Sequence, residues 1–238
     1  MMPTLFVALD VADAGEARAL ARRLAGLGVG LKLGLEALYA CGPSLVRELG
    51  VRTPLLLDAK LHDIPQTVER AAAALGRLGP ALVTAHALGG AAMLRRAQAA
   101  LAEASGRAGF APAGVLGVTI LTSHDDAEVR DELGLLEGSR AASVRLARLA
   151  IGAGCRGVVC APTDAAPIRA AIGPEPLIVT PGIRPAGAVS GDDQRRVATP
   201  AAAIGAGASA IVVGRPITGA TDPRRATRAI LEAIEAAR

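Results

Sequence analysis

The stretch Asp58-Ala-Lys60-Leu-His-Asp63-Ile-Pro-Gln-Thr67 places two carboxylates and an amine close together, directly after the apolar run PLLL. On an extended strand side chains alternate, so Asp58 and Lys60 share a face, while Asp63 falls beyond the strand at the start of the next helix. A surface salt bridge is the plain structural reading, with Asp63 capping a helix that carries Pro65 in its first turn. It does not account for two charges at the interior-facing end of an apolar strand, where unpaired charge is costly. A lysine between carboxylates holds its proton, because each nearby opposite charge favours the charged form. Two unit charges about 4 Å apart interact by roughly 4 kcal/mol at an effective dielectric of about 20. A Schiff-base lysine must instead lose its proton easily, whereas a donor to a carbanion must keep it until needed. The pattern therefore favours Lys60 as a general acid over Lys60 as a nucleophile.

The elements that would position these groups are short apolar runs alternating with Ala/Leu/Arg segments of helical period. Eight such runs occur, at 4–10, 29–34, 54–60, 81–87, 114–121, 156–162, 176–182 and 209–215. Helical segments are expected at 14–27, 36–49, 64–78, 91–104, 139–153 and 223–238. Strands apolar on both faces and separated by helices imply a parallel sheet covered by helices. Eight repeats in 238 residues predict an α/β fold, a single closed (β/α)₈ barrel, with residues 1–238 forming one catalytic domain. No GxGxxG turn follows the first strand, where a dinucleotide-binding sheet needs it. In such barrels the active site is built where strands end. The polar residues closing the runs are Asp10, Lys32, Asp58 with Lys60, His86, Thr122 with Ser123, Thr180 and Arg215.

Composition narrows the classes further. The chain is 51% hydrophobic and 20% charged, which excludes disorder as its main state. Its only aromatic residues, Phe6, Tyr39 and Phe110, are too few for stacking single-stranded nucleic acid. The +4 net charge is scattered over helical stretches such as RALARRL, so no nucleic-acid partner is expected. Cys41, Cys155 and Cys160 form no CxxC pair and read as reduced residues of a cytoplasmic protein. No secretory signal is evident, and no run approaches the roughly 20 apolar residues of a membrane span. The three histidines form no HxH or HExxH pattern, so neither a metal nor another cofactor is expected.

The segment DAKLHDIPQT resembles the DxKxxDIPxT signature of the orotidine 5′-monophosphate decarboxylase family. Family-like segments follow in order along nearly the whole chain: FVALD, LKLGLEALYACGP, AHALGG, GVTILTS, TPGIRP, GDDQRRV and VVGRPI. The resemblance implies decarboxylation of that nucleotide to UMP in pyrimidine biosynthesis. It implies that Asp10 binds the ribose hydroxyls, and that Lys32 contacts the ribose and the neighbouring aspartate. Lys32, Asp58, Lys60 and Asp63 would form an alternating charge network, with Asp63 and Thr67 reaching the site of a partner subunit in a homodimer. Thr122 and Ser123 would read the pyrimidine edge beside Pro181. Arg184, Gln194, Gly214 and Arg215 would hold the phosphate, and the loops after strands seven and eight are the usual phosphate site of this barrel. The segment 181–195 is the candidate lid. Gln66 departs from the Asn common in bacterial relatives, which leaves the contact of that amide open.

Two other readings compete. Related barrels sharing DxKxxD, 3-keto-L-gulonate 6-phosphate decarboxylase and hexulose-phosphate synthase, stabilise an enediolate with magnesium. They resemble this chain less where it has Lys32, because a cation opposes a magnesium site. A catalytically silent phosphate-binding barrel is disfavoured by the intact acid/base set.

Overall fold

A computed structural model describes residues 2–184 and 196–238. Eight parallel strands close on themselves in sequence order, each hydrogen-bonded to the next and β8 back to β1. They are β1 (Leu5–Ala8), β2 (Gly30–Leu33), β3 (Leu55–Leu61), β4 (Leu82–His86), β5 (Gly114–Val118), β6 (Gly157–Val159), β7 (Leu177–Thr180) and β8 (Ala210–Val213). All eight apolar runs become strands, in a (β/α)₈ barrel. Around them lie α1 (Ala14–Leu24), α2 (Leu35–Gly50), α3 (Pro65–Gly76), α4 (Gly90–Arg107) and α5 (Asp126–Asp131). The ring continues with α6 (Ser139–Gly152), α7 (Ala165–Ile172), α8 (Pro200–Gly205), α9 (Arg215–Thr218) and α10 (Pro223–Glu235).

The continuous apolar character of the strands follows from burial on two faces. Leu5, Val7 and Leu9 face the helices, while Phe6 and Ala8 face the barrel axis; all five are buried. The axial floor is a separate cluster of Phe6, Leu56, Leu82, Leu116, Val179 and Ala210. Phe6 is the only aromatic ring in that floor, and Gly30 on the adjacent strand makes room for it. A Cβ at Gly30 would lie 2.5 Å from two Phe6 ring carbons. Truncating a floor residue such as Leu56 to alanine would cost about 2–5 kcal/mol, since the closed barrel cannot collapse around the void.

The helices bury one stripe each. In α10, Thr227, Ile230 and Ile234 turn inward, and the N-cap Asp222 accepts from the backbone N–H of Arg224 and Arg225. Helix α1 is capped in the same way, Asp13 accepting from the N–H of Glu16 at 2.8 Å. Helix α2 departs from the expected uninterrupted helix. Gly42 interrupts it with φ 71°, and Pro43 follows. A proline there removes a hydrogen bond and would press on the preceding turn, so the chain kinks at the glycine that tolerates it.

Candidate active site

The axial face changes character above the apolar floor. Ala8 on β1 pairs with Lys32 on β2, and the Leu9 N–H still donates to the Lys32 carbonyl at 2.9 Å, so Asp10 emerges beside Lys32. Lys32 is only 8% exposed, and its Nζ donates to Asp10 Oδ1 at 2.5 Å. Gly34 lies against this pair, where a Cβ would come 2.9 Å from Lys32 Nζ and 3.0 Å from Asp10 Oδ1.

Strand β3 loses its regular register at the charged motif. Leu57 pairs with Val83 and Leu61 with Ala85, so Asp58, Ala59 and Lys60 together oppose the single residue Thr84. Lys60 carries φ 49°, the only positive φ of a non-glycine among the described residues. Its N–H has lost its place in the β-ladder, and a buried donor without an acceptor is costly. Thr84 fills that role: its Oγ1 accepts from Lys60 N at 2.9 Å and donates to Asp58 Oδ1 at 2.8 Å. Lys60 Nζ in turn donates to both carboxylate oxygens of Asp58, at 2.8 and 2.9 Å.

The electrostatics keep the Asp58 carboxylate ionised. Burial works against the Asp58 carboxylate, and is outweighed by Lys60, Lys32 and the hydrogen bonds from Lys60 and Thr84, which hold its pKa below the usual range. The half-buried His86 is two residues beyond Thr84 on the same strand. Burial first, then electrostatic repulsion from neighbouring His62 and Lys60, pushes its pKa down to about 4 against a weaker opposing pull from Asp58. Its imidazole is therefore neutral at pH 7, with its ring 5.4 Å from that of His62.

The charged groups at the ends of β1, β2 and β3, without His62 or His86, line a cavity of about 300 Å³ at the C-terminal end of the barrel, of a size that ordinary ligand pockets begin at. Asp10, Lys32, Asp58, Lys60 and Thr84 form one side. Thr122 and Pro181 contribute from the ends of β5 and β7, and Arg184, Gly214 and Arg215 complete the rim, with Gly214 back beside Asp10. A ligand entering here meets an ammonium held by a carboxylate and, elsewhere on the same lining, two guanidinium groups. Such an arrangement suits a small anionic molecule undergoing proton transfer at its buried end.

Not every expected residue meets the cavity. Ser123 is exposed and outside its lining, although it follows Thr122 directly. Asp63 and Thr67 are exposed and do not line the cavity of their own chain. Asp63 is not the helix cap either: Ile64 holds the N-cap position of α3, and Asp63 Oδ1 accepts from the Ile64 N–H at 2.6 Å. Thr180 ends β7 fully buried, outside the cavity lining, because its neighbours Val179 and Pro181 take the axial positions. Gln194, with all of residues 185–195 and so most of the candidate lid 181–195, lies outside the described residues. Thr84 was not singled out from the sequence. The available signal was a polar residue inside the run ALVTAHA at the same parity as His86. Among the described residues no group of three or more His, Cys, Asp or Glu side chains is placed to hold a metal ion, and no helix is long and apolar enough to cross a membrane.

Comparison with known proteins adds an independent finding. Residues 3–230 match the family model described as orotidine 5′-phosphate decarboxylase / HUMPS family. The chain is 50% identical over 224 residues to the orotidine 5′-phosphate decarboxylase of Anaeromyxobacter sp. (strain K), covering 94% of each chain. It is 49% identical to that of Halorhodospira halophila, covering 99% of this chain and 97% of the relative. The crystal structure of orotidine 5′-phosphate decarboxylase from Lactobacillus acidophilus superposes with a TM-score of 0.86 at 36% identity, over 98% of this chain and 99% of that one.

Proposed function

The chain belongs to the orotidine 5′-phosphate decarboxylase / HUMPS family, and from that membership we propose that it decarboxylates orotidine 5′-monophosphate to UMP in pyrimidine biosynthesis, with Lys60 as the proton donor. The observation that carries the assignment of Lys60 is its ammonium, held by both oxygens of Asp58 inside the cavity. In the reaction the bond between C6 and the carboxylate carbon breaks, carbon dioxide leaves, and the electron pair stays on C6. That pair lies in an orbital the ring delocalises poorly, so stabilisation must come from fixed charge nearby. Lys60 delivers its proton to C6, giving UMP, and regains a proton from water. Asp58 orients the ammonium, and Lys32, clamped on Asp10, adds a second cation to the network. The proton and electron inventory closes without a cofactor.

The other contacts follow the cavity walls. Asp10 and Lys32 take the ribose, Thr122 and Ser123 the pyrimidine edge with Pro181 beside it, and Arg184, Gln194, Gly214 and Arg215 the phosphate. Binding energy collected at the phosphate, remote from C6, would position the reacting end. The segment 181–195 serves as the lid, and the whole chain acts as one catalytic domain in the cytoplasm.

Asp63 and Thr67 belong, in this reading, to the site of a second copy. Support comes from their exposure outside their own cavity and from the apolar side chains around them. Ile64 is 66% exposed, Tyr39 82%, Leu35 44% and Leu88 39%, all on segments that follow the adjacent strands β2, β3 and β4. A homodimer would cover this rim.

The deciding assay follows the fall in substrate ultraviolet absorbance with purified protein in EDTA. Turnover in EDTA with loss of activity in Lys60→Ala is expected. Activity lost in EDTA and restored by magnesium would favour the magnesium-dependent relatives, and equal turnover by Lys60→Ala would remove Lys60 from its role. For the shared site, Lys60→Ala and Asp63→Asn chains, each inactive alone, should regain activity on mixing, because a mixed dimer contains one site with both native residues. No recovery in a demonstrated mixed dimer would place Asp63 outside the partner's site.

A further inference from the structure

Arg196 stands where the chain returns after β7, and its guanidinium reaches the end of β5. Nη1 donates to Asp164 Oδ2 at 2.6 Å. Nη2 donates to the Leu121 carbonyl at 2.9 Å and to the Ile120 carbonyl at 3.4 Å. Asp164, in the short turn after β6, is 1% exposed and also accepts the Ser143 hydroxyl of α6 at 3.0 Å. Leu121 directly precedes Thr122. On its other side, Arg196 is two residues from Ala198, which forms a parallel bridge with Ile183. There the Arg184 N–H donates to the Ala198 carbonyl at 2.9 Å, and the Ala198 N–H donates to the Gly182 carbonyl at 3.1 Å. One guanidinium thus joins the cavity wall containing Thr122 to the wall containing Pro181, Gly182 and Arg184, by way of the loop after β6.

We propose that Arg196, anchored by Asp164, is a positioning residue that fixes the spacing between the wall facing the pyrimidine and the wall facing the phosphate. The inference rests on the nucleotide reading given above. A stabilising role alone explains the pair poorly, since a buried ion pair commonly does no better than apolar residues of equal volume. The planar fork is what the geometry uses: one nitrogen engages a carboxylate while the other engages backbone carbonyls, and a single ammonium does not reproduce that spread. Lysine at this position keeps the charge and loses the fork. The effect should be felt only by a ligand long enough to touch both walls.

The test compares three ligands by calorimetry: UMP, and its two halves uridine and ribose 5-phosphate. In Arg196→Lys, UMP affinity is expected to fall about tenfold, while each half binds within twofold of the unaltered protein. Asp164→Asn keeps the local shape and removes only the charge on the anchor; it should show the same pattern at smaller size and guards against a lysine variant that fails to fold. Equal weakening of all three ligands, or of uridine alone, would overturn the proposal, as would unchanged UMP binding in both variants. Absence of UMP binding by the unaltered protein would instead overturn the nucleotide reading on which it stands.

Discussion

Replacing Thr84 with valine keeps the shape of the side chain and removes one oxygen. That oxygen is 2.9 Å from Lys60 N and 2.8 Å from Asp58 Oδ1, in a residue 1% exposed. The first loss strands the Lys60 N–H, at about 1–3 kcal/mol for a buried unsatisfied donor. The second removes a bond to a charged acceptor, typically about 1.5–3 kcal/mol, and falls at the low end because Asp58 still borders the cavity and keeps Lys60. Together they predict a loss of about 2.5–4.5 kcal/mol in stability, or roughly 5–18 °C in Tm for a chain of this length. The left-handed backbone at Lys60 adds a kinetic consequence. A non-glycine residue there is held against a preference of about 1–2 kcal/mol, and without Thr84 less opposes relaxation. A displacement approaching 1 Å at the reacting amine can cost about 100-fold in rate, so kcat should fall about 10- to 100-fold with KM changed much less. Thermal melts and steady-state kinetics read the two effects separately, and Thr84→Ser, which keeps the hydroxyl, should stay within about threefold of the parent by the same reasoning. A valine variant that lost the expected stability but kept kcat within twofold would show that the hydroxyl supports the fold alone.

The remaining expectations are independent of one another. His86 takes up its proton at about 4 when folded, against 6.5 for a free imidazole, so the stability its neutral form contributes is complete above pH 6.5 and is lost as pH falls toward 4. Denaturant titrations should show that acid slope, and His86→Gln should flatten it; an unchanged slope would assign it to other groups. Gly34→Ala inserts a methyl group against Lys32 Nζ and Asp10 Oδ1 at a backbone with φ −86°. The fold should therefore tolerate it, with Tm moving by less than about 2 °C while KM rises several-fold, because flexible side-chain ends shift rather than the backbone. Burial raises the Cys155 thiol to about 12 and Cys160 higher still. A thiol reagent should label half-buried Cys41 alone in the native protein and all three cysteines in denaturant.

Much of the fold was legible because a doubly buried strand leaves a plain mark. Runs such as TLFVALD are apolar at both parities, and the polar residues closing them forecast which end of the barrel holds the charged cavity. Helices α5, α7, α8 and α9 were not legible: they span 6, 8, 6 and 4 residues, too little for a helical period to emerge. The kink in α2 was readable in principle from Gly42-Pro43, but a periodic apolar pattern continues across it. In the site, alternation placed Asp58 and Lys60 correctly on one face. It did not foresee the bulge that sets three residues against Thr84, because register depends on the neighbouring strand. Asp63 looked like a helix cap, yet the chain enters α3 through Ile64 and Pro65 instead. Arg196 was invisible because its partners, Asp164 and the Leu121 carbonyl, are 32 and 75 positions away in sequence.

The contact between Phe6 and Gly30 bears on how such a barrel can change over generations. Alanine at Gly30 alone would drive a methyl group into the ring, an overpacking worth about 1–3 kcal/mol. Leucine at Phe6 alone would leave a void at the axis with a penalty of similar kind. Made together, the two changes should offset one another at the ring, while the 2.9 Å approach of the new methyl to Pro3 Cγ remains for Pro3 to absorb. The expected outcome is sign epistasis: a single-site scan should score both positions as intolerant, while a pairwise scan should recover part of the loss.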